Sequence, residues 1–301
     1  MRVCRAYFYI CRTTIQMSPQ TEPKFMRNFL LLFIVGFSLT ANAQKLKGSR
    51  NVTTTNKEIG NFESIEVSDN IELFLTKGDK SEAEIEADDN LHDAISITES
   101  VGILRISASQ QVGSHKKFSV KITYTDDFKL LTIKGSANVT GLTDLQLPDF
   151  TVKSFDNAKF FATVKGKKFT LMANDKSKTE LNVSATESVV ELNNSANLKA
   201  LISSDKLSFD MYQKASAAIE GDVNWIKLRM DNNTNFVGKN LTTKFADLTT
   251  EGSSNCSVEI VEKAVIAASG KSEIELHGEQ KIEINKFSDN ALISKKNNKV
   301  K

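Results

Sequence analysis

The sequence predicts an all-β protein: a β-solenoid of coils about 19–20 residues long, following a β-rich N-terminal section. Three observations carry that prediction. Between Leu131 and Ile293 one pattern recurs, an apolar strand, a turn of Asn, Ser, Asp and Gly, and a second apolar strand. Aligned on the small residue of the turn, the copies centre on Ala137, Ala158, Ser177, Ala196, Ser216, Thr234, Ser254, Ser272 and Ala291, with spacings of 21, 19, 19, 20, 18, 20, 18 and 19. Hydrophobic residues flank most centres at even offsets, as in Val190/Leu192 with Leu198 and Leu228/Met230 with Phe236. That is the period of a strand and not of a helix. A coil this short cannot bury its own apolar face, so it must stack on copies of itself.

The first residues are read as a leader. Met26-Arg27-Asn28, the apolar run Phe29 to Leu39 and Ala41-Asn42-Ala43 have the basic start, apolar middle and small-residue cleavage site of a secretory signal peptide over residues 26–43. The apolar run falls short of the roughly 20 residues a membrane span needs. Residues 1–25 have no place in a leader of this design, so Met26 is read as the start and 1–25 as a start-site artefact. The leader up to Ala43 takes five of the 39 basic and one of the 37 acidic residues, leaving 34 against 36 and a formal charge of −2. Without a basic balance there is no electrostatic footprint for nucleic acid. The membrane enters only as a location: periplasm, outer-membrane surface or extracellular space.

Cys4 and Cys11 leave with the leader, so the exported chain has Cys256 alone and no internal disulfide. No Cys follows the cleavage site, which leaves a lipoprotein anchor unsupported. Cys256 occupies the position of Val139, Leu198, Phe236 and Ile274 in other copies and reads as a small buried apolar residue.

Residues 44–60 are polar, with Thr53, Thr54 and Thr55 in a row, and read as a tether or an early edge strand. From 61 to 129 the pattern alternates. Phe62, Ile65, Val67, Ile71, Leu73 and Leu75 are split by Ser68-Asp69-Asn70 into two strands, and Lys77-Gly78-Asp79 makes the next turn. Ala83 to Ala87 is a strand with Glu82, Glu84 and Glu86 on its wet side, and Asp88-Asp89-Asn90-Leu91 suggests a capped turn of helix. Ile95 and Ile97, Ile103 to Ala108 and Phe118 to Tyr124 complete the section. The repeats then run from 130 to 294, and 295–301 is a basic tail.

The run Asn61-Phe62-Glu63-Ser64-Ile65-Glu66-Val67-Ser68-Asp69-Asn70-Ile71-Glu72-Leu73, continuing to Gly78-Asp79, resembles the opening signature of the head GIN domain family, also labelled auto-transporter adhesin. Glu86 to Leu91, the Leu104-x-Ile106 strand and Leu131 to Val139 match its later landmarks, so the resemblance spans about 61 to 293. It departs at Asp69-Asn70, where the family more often has Gly; a polar residue can supply the same turn. The resemblance implies a secreted right-handed β-helix of the kind common in Bacteroidota, with no catalytic residues to carry over. Nothing after Ile293 in this sequence reads as an outer-membrane barrel.

The candidate ligand surface follows from turn chemistry and aromatics. Asn157, Asn194, Asn197, Asn233 and Asn235 lie in or beside the turns, where Asn tolerates left-handed backbone. Stacked amides would either cap the turns or form a strip suited to sugar hydroxyls. Tyr212 and Trp225, in adjacent coils, and Phe160 or Phe161 offer faces for sugar rings. Alternation sends only one of Phe160 and Phe161 outward.

Candidate chemistry is sparse. Asp156, Asp175, Asp231 and Asp289 fall near turns but are isolated from one another in sequence, whereas glycoside cleavage needs two converging carboxylates. His92, His115 and His277 lack a second ligand at metal-binding spacing, and no phosphate-binding glycine loop appears. The sequence therefore predicts a non-enzymatic binding module without cofactor or metal, adhesin-like, whose partner is a glycan or another envelope component. A carbohydrate-active β-helix enzyme and a structural envelope component that self-associates through its solenoid ends are the alternatives.

Overall fold

The computed structural model describes residues 45–296. The segments expected to be a start-site artefact and a signal peptide lie outside the described residues, as does most of the basic tail. The described chain is almost entirely strand. Its N-terminal part comprises β1 (Val52–Glu58), β2 (Ser64–Val67), β3 (Glu72–Lys77), β4 (Glu82–Asp88), β5 (Ile95–Ser100), β6 (Ile103–Ala108) and β7 (Phe118–Tyr124). A transition follows through β8 (Leu130–Ile133), β9 (Asn138–Gly141), β10 (Leu145–Gln146) and β11 (Asp149–Ser154). Six long strands come next: β12 (Lys159–Ala173), β13 (Lys178–Leu192), β14 (Asn197–Met211), β15 (Ser216–Met230), β16 (Asn235–Thr250) and β17 (Asn255–Ala268). The last three are β18 (Glu273–His277), β19 (Lys281–Phe287) and β20 (Leu292–Lys295).

These strands form a β-solenoid. Each long strand bends at a corner and feeds two parallel ladders. In β13, residues 178–185 pair with 159–166 of β12 and 197–204 of β14, while 187–192 pair with 168–173 and 206–211. A four-residue turn closes each coil, and the ladder runs straight through it. Asn193 N–H donates to Ala173 O at 2.9 Å, Ser195 N–H to Asp175 O at 2.7 Å and Asn197 N–H to Ser177 O at 2.9 Å. The turn's backbone groups are thus satisfied by the coil below, which is why so short a connection can sit against the core.

The composition of the turn now has a physical cause. Its second residue adopts left-handed backbone in every copy: Gly135, Asp156, Asp175, Asn194, Gln213, Asn232, Gly252, Gly270 and Asp289 have φ between 60° and 76°. Gly, Asn and Asp are the residues that visit this region at least cost. The small residue two positions on points inward and is buried at Ala137, Ala158, Ser177, Ala196, Ala215, Thr234, Ser254 and Ser272. Here the structure corrects the fifth centre, which is Ala215 and not Ser216. Ser216 is the register partner of Asn197, one residue past the turn. With Ala215 the irregular spacings of 20 and 18 around it become 19 and 19.

The stack also begins earlier than the repeats suggest. β2 lies between β6 and β8, and β3 between β7 and β9, all in parallel. Both belong to the same ladders as the later coils, so the coil that is later in sequence sits further out. Antiparallel strands then close this end: β5 on β6, β4 on β7, and β1 on β4. In the segment expected to be a tether or an edge strand, Val52–Glu58 is therefore a strand. Asp69, at the family departure, has φ 68° and occupies the left-handed position itself. The expected helical turn is a single 3-10 stretch, Asp89–Ala94, and Asp88 caps nothing with its side chain there.

The interior is one continuous column of apolar side chains. Leu171, Leu192, Leu198, Leu228 and Val258 are buried, and aromatic pairs such as Phe150 with Phe169 and Phe209 with Phe236 fill it from coil to coil. Cys256 is part of this core, 3% exposed.

Candidate functional site

Outward residues stack into columns as regularly as inward ones, so a site on this fold is a patch of neighbouring columns. Two such patches lie on the long-strand ladders. One is a shallow hollow of about 550 Å³ on the ladder formed by the first halves of β12 to β15. Its columns run Phe161, Glu180, Lys199, Ala218 and, two residues along, Thr163, Asn182, Leu201, Glu220. Leu201 is 49% exposed at its centre.

The second patch lies just past the corner. The outward column there reads Lys168, Glu187, Lys206, Trp225, Phe245, Lys263. Trp225 and Phe245 are register partners on successive coils and are 37% and 42% exposed. Backbone spacing puts them about 4.8 Å apart along the stack. The residues just before them, Asn224 and Lys244, line a hollow of about 230 Å³ together with Asp205, Asp222 and Thr242. Asn224 Nδ2 donates to Asp205 Oδ1 at 2.9 Å, which fixes the amide and leaves the other carboxylate oxygen for a ligand hydroxyl. We call this the aromatic ledge.

The residues expected at a ligand surface are only partly brought together. Phe160 is fully buried and belongs to the core, while its neighbour Phe161 is half-buried at the edge of the first hollow. Phe160 therefore drops out as a ligand contact. Tyr212 is half-buried beside the turn with the Arg229 guanidinium 5.8 Å from its ring centre. It stands six residues along the strand from Lys206, the partner of Trp225, or roughly 20 Å away. The two aromatics do not form one site. Among the amides, Asn157, Asn233 and Asn235 are exposed, while Asn194 Nδ2 donates to Asp175 Oδ1 at 3.0 Å and Asn197 Nδ2 to Ser216 Oγ at 2.6 Å. Asn194 and Asn197 thus spend donors on the neighbouring coil.

Phe245 is the residue that sequence reasoning missed. Its signal was its place one coil length, 20 residues, after Trp225. Which column faced outward depended on the corner, which the alternation alone does not reveal.

The four turn acids do not converge. Asp156 Oδ2 accepts Gly135 N–H at 2.8 Å, Asp175 Oδ2 accepts Asp156 N–H at 3.2 Å, Asp289 Oδ2 accepts Gly270 N–H at 3.0 Å and Asp231 Oδ1 accepts Asn232 N–H at 2.6 Å. They cap turns. Glu180 and Glu220 in the first hollow are two ladder steps and two residues apart, roughly 12 Å between backbones by ladder geometry. Asp210, half-buried on the outer face, has its pKa raised chiefly by burial and also by Glu191, against the opposing pull of Arg229. Among the described residues no group of three or more His, Cys, Asp or Glu could hold a metal ion. His92, His115 and His277 are each half-buried.

Residues 61–279 match the family model described as "Putative auto-transporter adhesin, head GIN domain". The chain belongs to that family. Solved structures share this fold at low identity. A protein described as a putative adhesin from Parabacteroides distasonis aligns with a TM-score of 0.63 at 18% identity, covering 83% of this chain and 99% of its own. A second, from Parabacteroides merdae, gives 0.54 at 19%, covering 86% and 100%. A protein described as a putative lipid binding protein, also from P. distasonis, gives 0.53 at 16%, covering 86% and 100%. A comparison with proteins of curated function returns no match. Among the described residues no helix is long and apolar enough to cross a membrane.

Proposed function

We propose that this head GIN protein is an exported, non-enzymatic binding module of the cell envelope, and that it takes a glycan on the aromatic ledge. The observation that carries this reading is the register pairing of two outward aromatics, Trp225 and Phe245, beside a hollow edged with Asp205, Asp222 and Asn224. Aromatic faces bind the apolar side of sugar rings, and fixed carboxylates and amides accept from and donate to ring hydroxyls. The family description, an adhesin and not an enzyme, supports the same class. The turn acids are already committed to backbone N–H groups, which favours binding over hydrolysis.

A glycan array on the purified exported chain, followed by calorimetry on the hits, tests the reading. Trp225→Ala combined with Phe245→Ala is expected to weaken binding at least about tenfold, since each stacked ring contributes on the order of 1 kcal/mol. Array signals unchanged in the double variant, or reducing ends released from a bound glycan by the unmodified chain, would overturn it.

A further inference from the structure

The two ends of the solenoid are finished differently. At the N-terminal end the antiparallel strands β1, β4 and β5 lie across the ladders and bury what is beneath: Ile85, Ile95 and Ile97 are each 7% exposed, and Lys57 Nζ donates to Ile97 O at 2.8 Å. The outermost strand, β1, is polar and exposed from Thr53 to Glu58. At the other end β19 pairs only with β17, and β20 only with β18, among the described residues. The core column ends there in the open. Ile282, Ile284 and Phe287 continue the inward positions of Ala264, Ile266 and Ala268, which are buried, yet they are 38%, 53% and 52% exposed.

We propose that this end is a docking surface for a second copy of the chain, giving a closed, two-fold, end-to-end dimer. An open ladder edge presents a row of unpaired N–H and C=O groups that favours another strand edge as its partner. The outermost strand at the opposite end, β1, is exposed and polar from Thr53 to Glu58, and the apolar residues of β4 and β5 are buried, so head-to-tail stacking has no matching apolar face. The C-terminal end, where an open edge and an exposed apolar row coincide, can meet itself, and a two-fold axis across the stack brings the edges together antiparallel. The outward residues fit that arrangement. Lys281 and Glu283 lie on the same side of β19, Glu283 already pairing with Lys263 of its own chain at 2.7 Å, and an antiparallel register centred on Ile282 adds Lys281 of the other copy to that pair. Ile282 then meets Ile282 on the inner side, and the two core columns become one.

The proposal is independent of the glycan reading. Its test is the mass of the full exported chain by sedimentation equilibrium across concentration, with hydrogen exchange as a second readout. Two chains per particle are expected. Amides of β19 and β20 are expected to gain about tenfold protection as concentration rises into the dimeric range, while those of β1 do not change. Ile284→Lys with Phe287→Lys should leave a folded monomer whose melting temperature no longer rises with concentration, and Thr55→Lys in β1 should leave the dimer intact. A single-chain mass at every concentration, or a dimer that survives the Ile284→Lys, Phe287→Lys change, would overturn the proposal. So would concentration-independent protection of β19.

Discussion

The carboxylate of Asp88 accepts the backbone N–H of Lys117 at 2.9 Å, and this contact ties the end of β4 to the start of β7. The same carboxylate accepts from Lys116 N–H at 3.1 Å and from Arg50 N–H at 2.9 Å, so two segments far apart in sequence converge on one fully buried side chain. Burial alone would raise its pKa. The N–H groups of Lys117, Lys116 and Arg50, with His115 nearby, outweigh that and hold it below the ordinary value. A depressed carboxylate contributes stability that is present above its unfolded pKa of about 4 and lost as pH falls through the folded value. Thermal melts across pH are expected to show Asp88→Asn less stable than the parent at neutral pH, with the gap closing on acidification below about pH 4. A gap that stays constant through that range would contradict this assignment.

The core pair Phe209 and Phe236, edge to face with centroids 5.3 Å apart, joins coils in the middle of the stack. Phe209→Ala should cost about 3–5 kcal/mol in denaturant unfolding, because the solenoid cannot collapse around a void without breaking ladder register. A second transition is expected in the same experiment, since coils are stabilised mainly by their neighbours.

The left-handed turn column predicts opposite signs for two similar changes. Gln213 holds φ 66° with a full side chain, and Gln213→Gly should raise stability by up to about 1 kcal/mol. Gly252 holds φ 70°, and a Cβ there would meet Asn232 Cα and O at 2.7 Å. Gly252→Ala should destabilise by more than about 1 kcal/mol. Paired denaturant curves decide both.

Cys256 is predicted to be inert in the folded chain. It is buried, and desolvation pushes its thiol up to about 12, so at pH 8 only on the order of one molecule in ten thousand carries the thiolate. On a chain beginning at Gln44, whose one cysteine is Cys256, iodoacetamide followed by intact mass should add one group under denaturing conditions and none without denaturant.

The fold was legible because its two causes are local. Alternation marked the strands, and the small buried residue of each turn, as at Ala158 and Ser254, marked the period. What stayed hidden depends on non-local pairing. The register slip at Ser216 arose because Ala215, Ser216, Ala217 and Ala218 are all small, and only the pairing of Asn197 with Ser216 shows which residue turns inward. The insertion of β2 between β6 and β8 is likewise a choice of partner among strands with the same alternation. The site was less legible than the fold. Trp225 was visible by type, but Phe245 gained meaning only when the corner placed both in one outward column. Phe160 and Phe161 were separable in principle by alternation, but which faced inward followed from the pairing of Phe160 with Thr179.

Because the hydrogen-bond ladder passes through the turns, each coil is attached to the next along most of its contour, and contacts that skip a coil, such as Phe209 with Phe236, are confined to the core. Tension applied along the stack therefore loads one inter-coil seam at a time. A coil of 19 residues released from the end would extend by about 65 Å, against the 4.8 Å it occupied in the stack. A protein anchored at one end and holding a ligand on its flank would yield in such steps, lengthening under load while the coils behind the failing seam stay folded.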